Sequence, residues 1–189
     1  MIPDRENAIV IWKKYNSSDA LFKHALAVEG VMRFFAREMG GDEELWGAVG
    51  ILHDVDYEKY PDEHCKKCVD ILKGEGVDEN FIRSVVSHGF GLCSDVEPES
   101  DMEKVLFTID EMTGLINACA IMRPSKSVMD LEIKSLKKKY KDSHFAAGVD
   151  RSIIEKGAAM LNMELDAVME KCILAMRDVC DEIGLRGEI

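Results

Sequence analysis

Four of the five histidines in this sequence fall on the apolar stripes of four separate helical segments, and no other feature constrains the fold as much. Leu21, His24, Val28, Val31 and Phe35 recur at helical spacing. So do Trp46, Val49 and His53, then His64, Cys68 and Ile71, and then Phe81, Val85 and His88. Each imidazole faces inward on its own helix, so the folded chain must gather four polar rings inside. Asp110 adds a carboxylate, mid-helix among Leu106, Phe107, Ile109, Met112, Leu115 and Ile116, with Thr113 and Asn117 continuing a polar stripe at i+3 and i+7. Burying a lone carboxylate costs several kcal/mol unless it is paired or bound to a cation.

Helical spacing runs through nearly the whole chain and alternating strand patterns are absent, which predicts an all-α fold. The first long helix is expected to start at Ser17-Ser18-Asp19 and to end at Gly40-Gly41. A second runs from Asp42 to His53-Asp54, a third from Pro61 to Gly74, and a fourth from Asp78 to Gly89. Residues 89 to 100 read as a loop, and a fifth helix runs from near Asp101 to about Met122. Shorter helices follow at roughly 127 to 140, 150 to 161 and 164 to 183. The 189 residues suffice for a single domain with a real core, about 17–122, and a helical extension over 123–189.

Composition narrows the setting. There is no run of eighteen apolar residues, and the N-terminus lacks the basic-then-apolar order of a signal peptide, so the default location is the cytoplasm, with no membrane contact. Six scattered cysteines then read as reduced thiols, and Cys65-x-x-Cys68 without a second pair is weak evidence for zinc. A net charge of −12 disfavours nucleic acid as a partner. One stretch runs the other way: residues 123 to 141 hold seven basic and two acidic side chains, leaving −17 for the remainder.

Taken in order, the histidines and acids spell H…HD…H…H…D through His24, His53-Asp54, His64, His88 and Asp110. Any one inward histidine is ordinarily a hydrogen-bonded core residue, and Asp110 alone could pair with Arg123 or a lysine. Six such residues in this order are hard to explain as independent coincidences. Imidazole and carboxylate ligands from separate segments can hold one or two divalent cations, with iron, manganese, zinc, cobalt, nickel or magnesium all compatible. Neighbouring helical side chains diverge by about 100°, so His53 and Asp54 reach one cluster only if it lies at their helix end. Asp54 could then bridge two ions, with a metal-bound hydroxide placed for in-line attack on phosphorus. His144 stands outside the set, as a surface residue.

These residues carry a family resemblance. The chain resembles the HD-domain superfamily of metal-dependent phosphohydrolases, whose signature H…HD…D matches His24, His53-Asp54 and Asp110. In that family those positions ligate a metal, and His64 and His88 match the additional histidines that hold a second ion in two-metal members. The resemblance covers about residues 17 to 122 and implies an HD helical bundle with additional C-terminal helices. It is nearest the small stand-alone HDIG-related hydrolases. Val55-Asp56-Tyr57-Glu58 replaces the Ile-Gly-Lys of the cyclic-dinucleotide phosphodiesterases, which argues against that activity.

The expected function is hydrolysis of a phosphate ester or anhydride in a small metabolite or nucleotide. Arg123 and Lys126 follow the Asp110 helix and could grip that phosphate, with Lys134 and Asn117 as further substrate contacts. Asp54, Asp56 and Glu58 are the catalytic candidates, the last two as proton donors to the leaving group. Two alternatives stay open: a di-iron oxygenase with the same six ligands, and a non-catalytic nucleotide-binding sensor. Monomer and homodimer are both compatible with Met160, Leu161, Met163, Leu165, Val168 and Met169, which could serve a core or an interface.

Overall fold

Short polar side chains start most of the helices by accepting from otherwise unpaired first-turn amides. Asp4 caps α1 (Arg5–Tyr15), Ser18 caps α2 (Asp19–Met39) and Asp42 caps α3 (Glu43–Leu52). A 3₁₀ turn at Pro61–Glu63 precedes α4 (Lys67–Gly74), and Asp78 caps α5 (Glu79–Ser87). Ser100 and Glu103 form a reciprocal capping box on α6 (Asp101–Ile121). Then follow α7 (Ile133–Tyr140), α8 (Arg151–Met160), capped by Asp150, and α9 (Leu165–Asp178). This computed structural model describes residues 1–188, and among them there is no β-strand. None of these helices is long and apolar enough to cross a membrane.

The two longest helices, α2 and α6, carry the core. Val28, Val31, Met32 and Phe35 of α2 and Leu106, Ile109, Met112, Leu115 and Ile116 of α6 are buried with Ile51 and Leu52 of α3. Each such side chain contributes about 1.5–3 kcal/mol on leaving water. Helices α3 and α6 both pack on α2, while α8 and α9 pack on α6. Val168 and Met169 of α9 are buried in that same core. Because α2 and α6 touch, His24 and Asp110 on their facing stripes are brought to one place.

Several boundaries differ from those read in the sequence. α1 was not anticipated, because its buried face is only Ala8, Ile11 and Trp12 and its anchor is ionic. The Arg5 guanidinium donates to the buried Glu29 carboxylate at 2.7 Å, and Arg33 donates to the same oxygen at 2.9 Å. The third expected helix starts late, so His64 lies in extended backbone before Lys67 rather than on a helical stripe with Cys68 and Ile71. α7 starts at Ile133 instead of 127, since the Val128 amide bonds to the Leu185 carbonyl and holds the preceding segment in turns.

α8 approaches α6 through Gly157. A Cβ at that position would overlap Thr108 Oγ1 and lie 2.9 Å from the Thr108 Cα, so the helices can meet this closely only without a side chain. Gly157→Ala should therefore destabilise the protein by about 1–3 kcal/mol through overpacking, although alanine is the better helix former. Denaturant unfolding measures this; unchanged or greater stability would show that α8 is not held at that distance.

Candidate metal centre

Every one of the six signature side chains arrives at one cluster. His24 comes from the second turn of α2 and Asp110 from the middle of α6. His53 and His88 occupy the C-cap positions of α3 and α5, where the chain leaves the helix. Asp54 follows His53 directly, and His64 reaches in from the end of the 3₁₀ turn.

Asp54 sits between two pairs of imidazoles. Its Oδ2 is 3.3 Å from His53 Nε2 and 4.0 Å from His24 Nε2, while its Oδ1 is 3.3 Å from His64 Nε2 and 3.6 Å from His88 Nε2. Asp110 Oδ1 completes the first half, 2.9 Å from His24 Nε2 and 3.5 Å from His53 Nε2. In the second half, His64 Nε2 and His88 Nε2 are 3.1 Å apart.

The far side of three rings fixes which nitrogen is free. His53 Nδ1 lies 2.7 Å from the Gly50 carbonyl and His88 Nδ1 2.6 Å from the Val85 carbonyl. A carbonyl only accepts, so both Nδ1 atoms carry hydrogen and both Nε2 lone pairs face the cluster. His64 Nδ1 donates in the same way to Asp56 Oδ1 at 2.7 Å. Lone pairs therefore point at one another and at carboxylate oxygens, an arrangement that repels itself unless a proton or a cation stands between them. His53 is fully buried and its Nε2 has no hydrogen-bond partner. That orphaned atom, with imidazole and carboxylate donors around it, fits a divalent cation.

Charge in the cluster shifts its protons. Burial alone would lower His53, but Asp54 and Asp110 outweigh it and raise the ring well above the ordinary imidazole value. His64 is raised as well, against its burial, by Asp56 and Asp54. Asp54 and Asp110 are held below the usual carboxylate range by the imidazoles, although burial opposes this. Glu111, next to Asp110, behaves differently: burial and the Asp110 charge push its carboxyl up to about 7.

The cluster forms the floor of a cleft of about 360 Å³, walled by Tyr57, Pro61, Leu92, Phe107, Glu111 and Ile153. No lysine or arginine lines it among the described residues. The expected phosphate grips are therefore elsewhere. Arg123 is engaged by Asp130 at 2.8 and 2.9 Å, Lys126 is exposed in the following turn, and Lys134 lines a separate apolar groove with Leu131 and Ile173. Asn117 lines a second cleft of about 240 Å³ that shares His24 but none of the other five residues.

Glu58 is also corrected. Its carboxylate accepts from the Ser17 and Ser18 amides at 2.8 and 3.0 Å, tying down the entry to α2 instead of facing the cleft. Asp56 is fully buried, and its second oxygen accepts from the Cys68 amide at 2.8 Å. One oxygen thus holds His64 and the other the start of α4, so neither is turned toward a substrate in the cleft. Glu111 was missed in the sequence because only the fold shows that it lines the same cleft as Asp110.

If Asp56 orients His64, Asp56→Asn should weaken metal affinity about 10–100-fold, whereas Glu58→Gln should leave it unchanged; isothermal titration with manganese or cobalt compares them. Equal affinities in both variants would remove the orienting role. Protons and cations also compete for the same nitrogens. Without metal, the raised imidazoles lend stability that is full below their unfolded value of 6.5 and is lost as pH rises through their higher folded values. The lowered carboxylates lend stability present above 3.8 and lost as pH falls through their folded values. With metal the proton is displaced, so the gain in Tm on adding cobalt should grow from about pH 6 to about pH 8. A gain independent of pH would mean that the cation binds away from these rings.

Comparison with known proteins agrees with this geometry. The family model described as HD domain matches residues 21–119, which contain all six residues of the cluster. A tRNA (cytidine(56)-2'-O)-methyltransferase of Picrophilus torridus is 25% identical over 182 residues, covering 88% of this chain and 50% of the relative. The enzyme of the same name from Thermoplasma volcanium is 30% identical over 97 residues, 50% of this chain and 29% of the relative. The chain thus spans half the length of the first relative and matches less of the second. No solved structure gives a match. The matched span and the helices that carry the cluster coincide, and the chain belongs to the HD domain family.

Proposed function

We propose that this chain is a metal-dependent phosphohydrolase acting on a phosphate ester or anhydride of a small metabolite or nucleotide. The observation that supports it most is the placement of Asp54, whose two oxygens face separate imidazole pairs at the floor of the cleft. His24, His53 and Asp110 would hold one divalent ion and His64 and His88 a second, with Asp54 shared. Such ions supply positive charge that activates water and neutralises phosphate.

The protein's own groups do the remaining work. Asp56 and the carbonyls of Gly50 and Val85 lock three rings in the tautomer that leaves Nε2 free. Asp54, Asp110 and Glu111 make the cleft acidic, so a phosphate is repelled until cations are present. Glu111 lines the cleft beside Asp110 and is the carboxyl placed to deliver a proton to a leaving oxygen. Tyr57, Leu92, Phe107 and Ile153 offer an apolar wall to a base or sugar. A volume of about 360 Å³ lies at the low end for small-molecule sites, which run to roughly 1,000 Å³.

The names of the relatives favour a second reading, in which the phosphate belongs to tRNA or to a nucleotide released from it. A net charge of −12 and a cleft without basic side chains favour the free nucleotide over the polymer. Phosphate release from a panel of nucleotides, sugar phosphates and tRNA, run anaerobically with manganese, cobalt or nickel, tests both. Release that stops with chelator and in His53→Ala is expected. Oxygen uptake by the iron-loaded protein without phosphate release would identify the oxygenase alternative, and ligand binding without turnover would identify a sensor.

A further inference from the structure

The two halves of the cluster differ in one respect. Around His24, His53 and Asp110 the available donors are nitrogen and oxygen, whereas the half built on His64 and His88 also contains a buried sulfur, Cys65. His64, Cys65 and His88 each present a ligand atom, and these atoms all lie within 4.8 Å of one another. Adjacent residues rarely aim at one point. Here Cys65 adopts a left-handed backbone conformation, φ 65°, in which its Sγ comes to 4.0 Å from His88 Nε2 while His64 Nε2 stands 3.1 Å from the same atom.

We propose that Cys65 is a ligand of the second cation position, making it a mixed nitrogen, oxygen and sulfur site that selects a thiophilic ion such as zinc, cobalt(II) or iron(II). This rests on reading the cluster as a metal centre and adds a ligand that the histidine–aspartate order does not contain. The spacing supports it. A tetrahedral ion with bonds of about 2.0–2.3 Å needs donor–donor edges of about 3.3–3.7 Å. The edges present are 3.1 Å between His64 and His88 and 3.3 and 3.6 Å from these rings to Asp54 Oδ1, while Cys65 Sγ stands 4.0 Å from His88, a little beyond an ideal edge, and within 4.8 Å of His64.

The neighbouring thiols define what Cys65 can do. Cys93 Sγ lies 2.7 Å from Cys65 Sγ, and Cys68 Sγ donates to the Cys65 carbonyl at 3.1 Å. Cys68 is thereby kept out of the site, while the Cys65 and Cys93 sulfurs meet each other and either can donate to the other. Gly89 makes room for this pair, because a Cβ there would overlap both sulfurs. Coordination releases one proton from Cys65, and no electron transfer is involved. Thiolate is a soft ligand, so magnesium and manganese are disfavoured at this position while the nitrogen–oxygen half accepts them.

Cobalt(II) reports sulfur ligation directly through a thiolate-to-metal charge-transfer band in the near ultraviolet. The intact protein, loaded with cobalt under anaerobic conditions, is expected to bind two ions per chain and to show that band. Cys65→Ser should lose it while keeping its far-ultraviolet circular dichroism and the ion at the His53 half. Cys93→Ser and Cys68→Ser should keep the band. Two bound cobalt ions without the band, or a band that survives Cys65→Ser, would overturn thiolate ligation and leave the metal centre standing. Failure to bind cobalt at all would overturn both.

Discussion

Everything at this site follows from one carboxylate held between imidazole lone pairs. Asp54 is the point where the two halves of the cluster meet, and His53 Nε2 beside it is buried with no hydrogen-bond partner. Gly50 and Val85 carbonyls turn the protons of His53 and His88 outward, so the free nitrogens face inward. In the interior such like-signed dipoles are costly. A cation converts each repulsion into a bond, which makes metal binding and local stability parts of the same free energy.

The fold serves that arrangement by using helix ends as well as helix faces. Long helices α2 and α6 pack together in the core and supply one side chain of the cluster each from a helix face. Shorter α3 and α5 stop at their histidines, and this lets consecutive residues His53 and Asp54 reach the same centre despite diverging around the helix axis. α8, pressed against α6 at Gly157, contributes Ile153 to the cleft wall and so sets its width. The C-terminal helices thus take part in the cleft although they carry none of the six clustered side chains.

Much of this was legible in the sequence because it is local. Ser18, Asp42 and Asp78 cap helices where their positions before apolar periods indicate, and the inward stripes of His24 and Asp110 need only helical spacing. The illegible parts depend on contacts between distant segments. α1 is fastened by Arg5 on Glu29, a pairing across 24 positions, and so has little apolar signature. The basic stretch looked like a phosphate grip, yet Arg123 turns back on Asp130 and the nearby turns carry Lys126 away from the cleft. Cys65 and Cys93 are 28 residues apart and meet only because the 3₁₀ turn and the loop after α5 fold over the same pair of imidazoles. Asp56 looked catalytic from its position after the His-Asp pair, but the structure uses it to aim His64.

The most direct measurement is anomalous diffraction from crystals of the cobalt-loaded protein, collected on both sides of the absorption edge. The account predicts two peaks about 3.5–4 Å apart, one beside His24, His53 and Asp110 and one beside His64 and His88, with an Asp54 oxygen directed at each. A single peak that leaves one imidazole pair empty, or peaks remote from Asp54, would contradict it.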